Sequence, residues 1–118
     1  MTLARLLPFH IHGALEVAVA PFIMAAPFLF GFELPAAVAS VTIGALMLAV
    51  AFATHATDDR PLPVSTHLAF DIGFALAMAL SSVTFALAGD AAAATFLGPG
   101  ALALVLLVSL TRYSASNA

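Results

Sequence analysis

The chain has 118 residues, 64% of them hydrophobic and 8% charged, and a mean hydropathy of +1.16. Soluble domains average about 45–50% apolar and about 25% charged residues, so water is not the main solvent of this polypeptide. Three arginines and no lysine leave no basic patch for phosphate neutralisation, which excludes a nucleic-acid partner, and the lack of cysteine excludes disulfides, thiolate metal sites and cysteine nucleophiles.

The first apolar segment runs from about residue 8 to 32 and contains His10, His12 and Glu16. It is too long and too polar for the apolar region of a secretory signal, and its pattern returns far from the N-terminus. Gly31-Phe32-Glu33-Leu34-Pro35 breaks it, and a second segment spans about 35–55. The charged stretch Thr57-Asp58-Asp59-Arg60-Pro61-Leu62-Pro63 precedes a third segment at about 63–88. Gly89-Asp90 separates that from a fourth at about 91–111. Each segment reaches the roughly 20 helical residues that cross a bilayer core of about 30 Å, and in lipid each must be a helix to satisfy its own backbone. The expected fold is all-α, a single membrane domain over residues 1–118 with four transmembrane helices. Pro8, Pro35 and Pro63 suit helix starts, where a missing N–H costs nothing; Pro21, Pro27 and Pro99 are interior.

An even number of spans puts both termini and the 56–62 loop on one side. Arg5, Arg60 and Arg112 all belong to it, whereas the other two loops carry only Glu33 and Asp90. The positive-inside rule makes the arginine side cytoplasmic, and Tyr113 suits the headgroup boundary there. The expected location is the bacterial inner membrane, multi-pass, with lipid as the main partner and a homo-oligomer or larger membrane complex as a further one.

A repeat runs through the chain. Pro8, His12 and Glu16 recur as Pro63, His67 and Asp71, each 55 positions on, and a shift of 56 aligns Gly44-Ala45-Leu46-Met47-Leu48 with Gly100-Ala101-Leu102-Ala103-Leu104. The chain therefore reads as two tandem helical hairpins, about 8–55 and 63–111, in parallel orientation about an axis along the membrane normal. The run Ala26-Pro27-Phe28-Leu29-Phe30-Gly31-Phe32 resembles the Ser-Pro-Trp-centred motif, ending in a Gly-aromatic pair, of the SPW-repeat bacterial membrane proteins. In the second hairpin Ser81-Ser82-Val83 occupies that position. The resemblance implies a fold of hairpin repeats and no activity.

Ionisable groups inside lipid-soluble helices need partners. His12 and Glu16, like His67 and Asp71, are spaced i, i+4 on one helical face and lie at equal depth, so the four can converge. Three readings follow. His–carboxylate pairs can join the first and third helices as structural glue in an accessory membrane component. Two imidazoles and two carboxylates can hold zinc, iron or manganese, or the two histidines can ligate haem, in a redox or sensor protein. A water-accessible His–carboxylate pair can carry protons in a transporter or channel subunit.

The remaining polar residues attract blander readings. His10 faces away from His12 toward an interface, and His55 complements the dipole at the end of the second helix. Asp58, Asp59, Glu33 and Asp90 read as solvated loop charges. Ala14/Ala18 and Gly73/Ala77 are small-xxx-small pairs that would let the first and third helices approach closely. No nucleophile elbow occurs and no reaction can be named.

Overall fold

A computed structural model describes residues 6–55 and 62–113. It contains four helices and no strands among these residues: α1 (Phe9–Phe30), α2 (Leu34–His55), α3 (Val64–Leu87) and α4 (Ala91–Leu110). All four are long and apolar enough to cross a membrane, as the segment lengths predict. Arg5, Arg60, Asp58 and Asp59 lie outside the described residues.

The boundaries follow local chemistry. Pro8 and Pro63 occupy the N-cap positions of α1 and α3 with nearly identical extended backbones, φ −63° in both and ψ 150° and 151°. Their rings pre-set the entry to the helix, and their missing N–H groups are no loss there. At the far end of α1, Gly31 adopts φ +71° and its N–H donates to Pro27 O at 3.0 Å, closing the last turn. A left-handed residue in this place favours glycine because a Cβ would crowd the carbonyl.

The helices alternate in direction. The starts of α1 and α3 meet the ends of α2 and α4 at one pole, while the turns after α1 and α3 meet at the other. There Asp90 accepts from the Glu33 N–H at 2.8 Å and caps α4 through Ala93 N at 3.1 Å. Asp90 is buried, not solvated, because its two oxygens satisfy two backbone donors that lipid would leave unpaired. Glu33 is exposed, as expected.

Ala20, Ile23, Met47, Met78, Leu97 and Leu104 form the buried core between the hairpins. The outer surface carries large apolar residues, among them Phe28 at 79% and Leu87 at 85% exposure. Such a surface is stable against acyl chains and unstable in water. Among the described glycines Gly44 on α2 stands tightest against a neighbouring backbone, where a Cβ would lie 2.8 Å from Ala20 O and 2.6 Å from Met24 Cγ on α1. By contrast Ala14, Ala18 and Gly73 are exposed, Ala77 is half-buried, and a Cβ on Gly73 would meet nothing. The tight small-residue contact is thus within a hairpin, between α1 and α2. The first and third helices instead meet through longer polar side chains.

Candidate metal centre

His12 and His67 are each the fourth residue of their helix, and Glu16 and Asp71 each the eighth. Equal register places the four side chains on the bundle axis at one level, one helical turn deep from the pole where α1 and α3 start. All four are buried to within 1% of full enclosure.

The closest contacts run between helices. His12 Nε2 is 2.8 Å from Asp71 Oδ2, and His67 Nε2 is 2.8 Å from Glu16 Oε1. The contacts within each helix, His12 to Glu16 and His67 to Asp71, are 3.2 Å. The i, i+4 pairing expected from sequence is therefore the weaker member of a crossed set. Side chains four residues apart run side by side toward the axis, and their tips meet the pair arriving from the facing helix. One ligand atom from each of the four residues falls within 4.8 Å of the others.

The outer nitrogens determine what the inner ones can do. His12 Nδ1 lies 2.7 Å from Thr111 Oγ1 and His67 Nδ1 lies 2.9 Å from Thr54 Oγ1. Each threonine hydroxyl donates to its own helix, Thr111 to Leu107 O at 2.6 Å and Thr54 to Val50 O at 2.8 Å. With their protons committed, both hydroxyl oxygens accept from the imidazoles, so each Nδ1 carries the hydrogen. Both Nε2 atoms then point their remaining valence at the carboxylates. A second shell that fixes the tautomer in this way is the arrangement by which proteins present a histidine to a metal ion.

Two carboxylate oxygens, Glu16 Oε2 and Asp71 Oδ1, are buried without a hydrogen bond. Toward the aqueous side the centre is covered by aromatic rings. Phe9 stacks on His12 at 5.6 Å and meets His67 edge-on at 5.0 Å. The Tyr113 hydroxyl donates to Asp71 Oδ2 at 3.2 Å. Burial, together with the adjacent Asp71 carboxylate, holds the Tyr113 phenol above its usual pKa, so it remains a donor. Leu7 and Thr111 form a short backbone bridge that ties the lead-in to α1 onto the end of α4 and brings Tyr113 over the centre.

The structure thus brings together His12, Glu16, His67 and Asp71, and leaves His10 exposed and apart. It adds Thr54, Thr111, Tyr113 and Phe9, which sequence reasoning passed over. A signal for the threonines existed: the offset between matched positions widens from 55 in the leading helices to 56 at Gly44/Gly100, and one more step aligns Thr54 with Thr111.

The crossed geometry disfavours haem. The two imidazole centroids are 5.4 Å apart at 71° to each other, and the carboxylates occupy the space between the Nε2 atoms where a macrocycle would lie. No family model, curated protein or solved structure matches this chain.

Proposed function

We propose that the protein is an integral membrane metalloprotein in which His12, Glu16, His67 and Asp71 hold one divalent transition-metal ion at the junction of two helical hairpins. The observation that carries this reading is the convergence of four ligand atoms whose two nitrogens have their outer positions tied to threonines. Two imidazoles select against magnesium and calcium, and a four-coordinate set of nitrogen and oxygen donors suits zinc first, with iron and manganese as the redox-active variants. At metal–ligand distances of about 2.0–2.1 Å a tetrahedral site has ligand–ligand edges of about 3.3 Å. Asp71 Oδ2 lies 2.8 and 3.2 Å from the two Nε2 atoms, Glu16 meets His67 through Oε1 at 2.8 Å and His12 through Oε2 at 3.2 Å, and one ligand atom from each residue falls within 4.8 Å of the others, so the donors bracket that edge length.

Charge supports the assignment. Two carboxylates and one dication sum to zero, which is the least costly state for a polar centre surrounded by hydrocarbon. All four coordination positions come from the protein, so the ion's role is to join the hairpins, in keeping with a structural or accessory membrane component. A second reading is favoured by the 2.8 Å contacts themselves: protons shared between each Nε2 and its carboxylate would glue the same helices without metal.

The wider placement belongs to the same proposal. Arg112 lies at the pole of the centre, and with Arg5 and Arg60 it orients the termini to the cytoplasmic face of a bacterial inner membrane. Matched registers of α1 and α3 support two tandem hairpin repeats, and the motif at Ala26–Phe32 is the ground for proposing that they are of the SPW type. Further copies of the chain or other membrane subunits would pack against the exposed apolar faces.

Elemental analysis of the protein purified in detergent tests the centre. About one zinc, iron or manganese per chain is expected, lost in His12→Ala and in His67→Ala. Protein that contains no transition metal and melts at an unchanged temperature on adding zinc, cobalt or a chelator would refute the metal and leave the shared-proton glue.

A further inference from the structure

The four ligand side chains are enclosed, and what surrounds them differs by direction. Deeper along the bundle axis lie Ile23, Met47, Met78 and Leu97, and the outer faces of the helices carry large apolar side chains. A divalent ion crosses neither, because hydrocarbon offers nothing in place of its water shell. The remaining approach is from the pole where α1 and α3 start. There, among the described residues, Phe9 and Tyr113 lie over the centre.

Both rings depend on one feature. Leu7 and Thr111 pair as a parallel bridge, and Phe9 and Tyr113 each follow a bridge residue by two positions and meet at 5.6 Å. Two backbone hydrogen bonds hold the bridge, from Leu7 N–H to Leu110 O at 2.9 Å and from Arg112 N–H to Leu7 O at 3.0 Å. Opening it breaks far fewer contacts than displacing a membrane-spanning helix, and segments held by few hydrogen bonds open first.

The bridge also reaches into the centre. Thr111 Oγ1 accepts from His12 Nδ1 at 2.7 Å, and Thr111 stands one residue beyond α4 with an extended backbone, φ −93° and ψ 141°. Thr54, whose hydroxyl holds His67 Nδ1 at 2.9 Å, lies inside α2. Displacing the bridge therefore loosens His12 and withdraws the phenol from Asp71, while His67 keeps its partner.

Granted the metal of the preceding proposal, we infer that the Leu7–Thr111 bridge is a gate through which the ion exchanges with water at this pole, His12 being the first ligand to let go and the last to bind. The bridge is made of protein backbone alone, so weakening it favours opening equally with and without bound metal. Entry and exit then quicken together and the affinity stays fixed. A loosening of the ligands themselves would instead speed exit and weaken binding.

Leu7→Pro tests this in the full chain in nanodiscs, since it removes one N–H from the bridge and leaves the Leu7 carbonyl in place. Cobalt(II) binding, and its release into excess chelator, should both be about 2–12-fold faster than in the parent, the factor for one backbone hydrogen bond, with Kd unchanged within about twofold. Tyr113→Ala, which strips a ring from the cover without touching a helix, should quicken both steps as well. In metal-free protein, labelling of imidazoles by diethyl pyrocarbonate reads the gate directly, with exposed His10 as the internal reference. Leu7→Pro should raise labelling of His12 relative to His10 and raise that of His67 less. Unchanged exchange rates in both variants, faster release without faster entry, or His67 labelled as readily as His12 would each overturn the gate. A parent chain that binds no cobalt would refute the metal reading itself, and the labelling would still report whether the bridge opens.

Discussion

Replacing Thr54 or Thr111 by valine removes one hydroxyl from the second shell of the centre while keeping side-chain shape. His67 Nδ1 and His12 Nδ1 lie 2.9 and 2.7 Å from these hydroxyls, and each ring has its Nε2 aimed at the carboxylates. Without the acceptor the imidazole has two options. It can leave a buried Nδ1–H unpaired, at about 1–3 kcal/mol, or move the hydrogen to Nε2, which is then no longer a ligand. Either route weakens the metal site, and losses of second-shell partners typically lower affinity by about 10–100-fold. That range is about 1.4–2.7 kcal/mol of binding free energy.

Cobalt(II) titration in detergent, in competition with a chromophoric chelator, reads the change directly, and the visible bands of the bound ion report whether its geometry remains tetrahedral. Thr54→Val and Thr111→Val should each fall in the predicted range and resemble one another, because the two threonines hold equivalent rings. Thr54→Ser and Thr111→Ser should recover most of the affinity by restoring the hydroxyl. Valine variants that bind cobalt within about twofold of the parent would refute the claim that the threonines set the tautomer.

Three further outcomes are expected. Metal binding should release two protons, because in the metal-free centre each 2.8 Å contact between Nε2 and a carboxylate contains one shared proton that the ion displaces; binding enthalpies measured in buffers of different ionisation heat give the count, and a value of zero contradicts it. Gly44→Ala should destabilise the bundle by about 1–3 kcal/mol, since its Cβ meets the Ala20 carbonyl at 2.8 Å and backbone cannot yield cheaply. Gly73→Ala, with open space around it, should be neutral or stabilising by up to about 1 kcal/mol; the reverse order in thermal melts would place the tight packing between the first and third helices after all. Asp90→Ala removes the α4 cap and the partner of the Glu33 N–H, for a loss of about 1–3 kcal/mol, and Asp90→Asn should retain most of it because the amide oxygen still accepts. Equal destabilisation by alanine and asparagine would mean that charge and not hydrogen bonding holds that turn.

The helices were legible from composition and punctuation. Long apolar runs in a chain with so few charges have one way to satisfy their backbones in lipid, and Pro8, Pro63 and Gly31 mark ends because their allowed backbone angles suit those places. The four inward polar residues were legible too, since a histidine and an acid spaced i, i+4 occupy one face wherever the helix goes. Asp90, a loop charge by sequence, is instead buried against two backbone donors. Nothing near it in sequence reveals that the Glu33 N–H, 57 positions away, is its partner.

Sequence alone therefore determined four membrane-spanning helices and which side chains could share an axis, because both follow from periodicity and from the cost of burying unpaired polar groups. Only the tertiary arrangement decided that the contacts cross from one helix to the other, that Thr54 and Thr111 orient the imidazoles, and that Leu7 and Thr111 bridge to hold Phe9 and Tyr113 over the centre. These depend on how far apart two helices stand and how they are rotated about their axes. Such quantities are set by side chains packing across the whole bundle, and no local spacing along the chain encodes them.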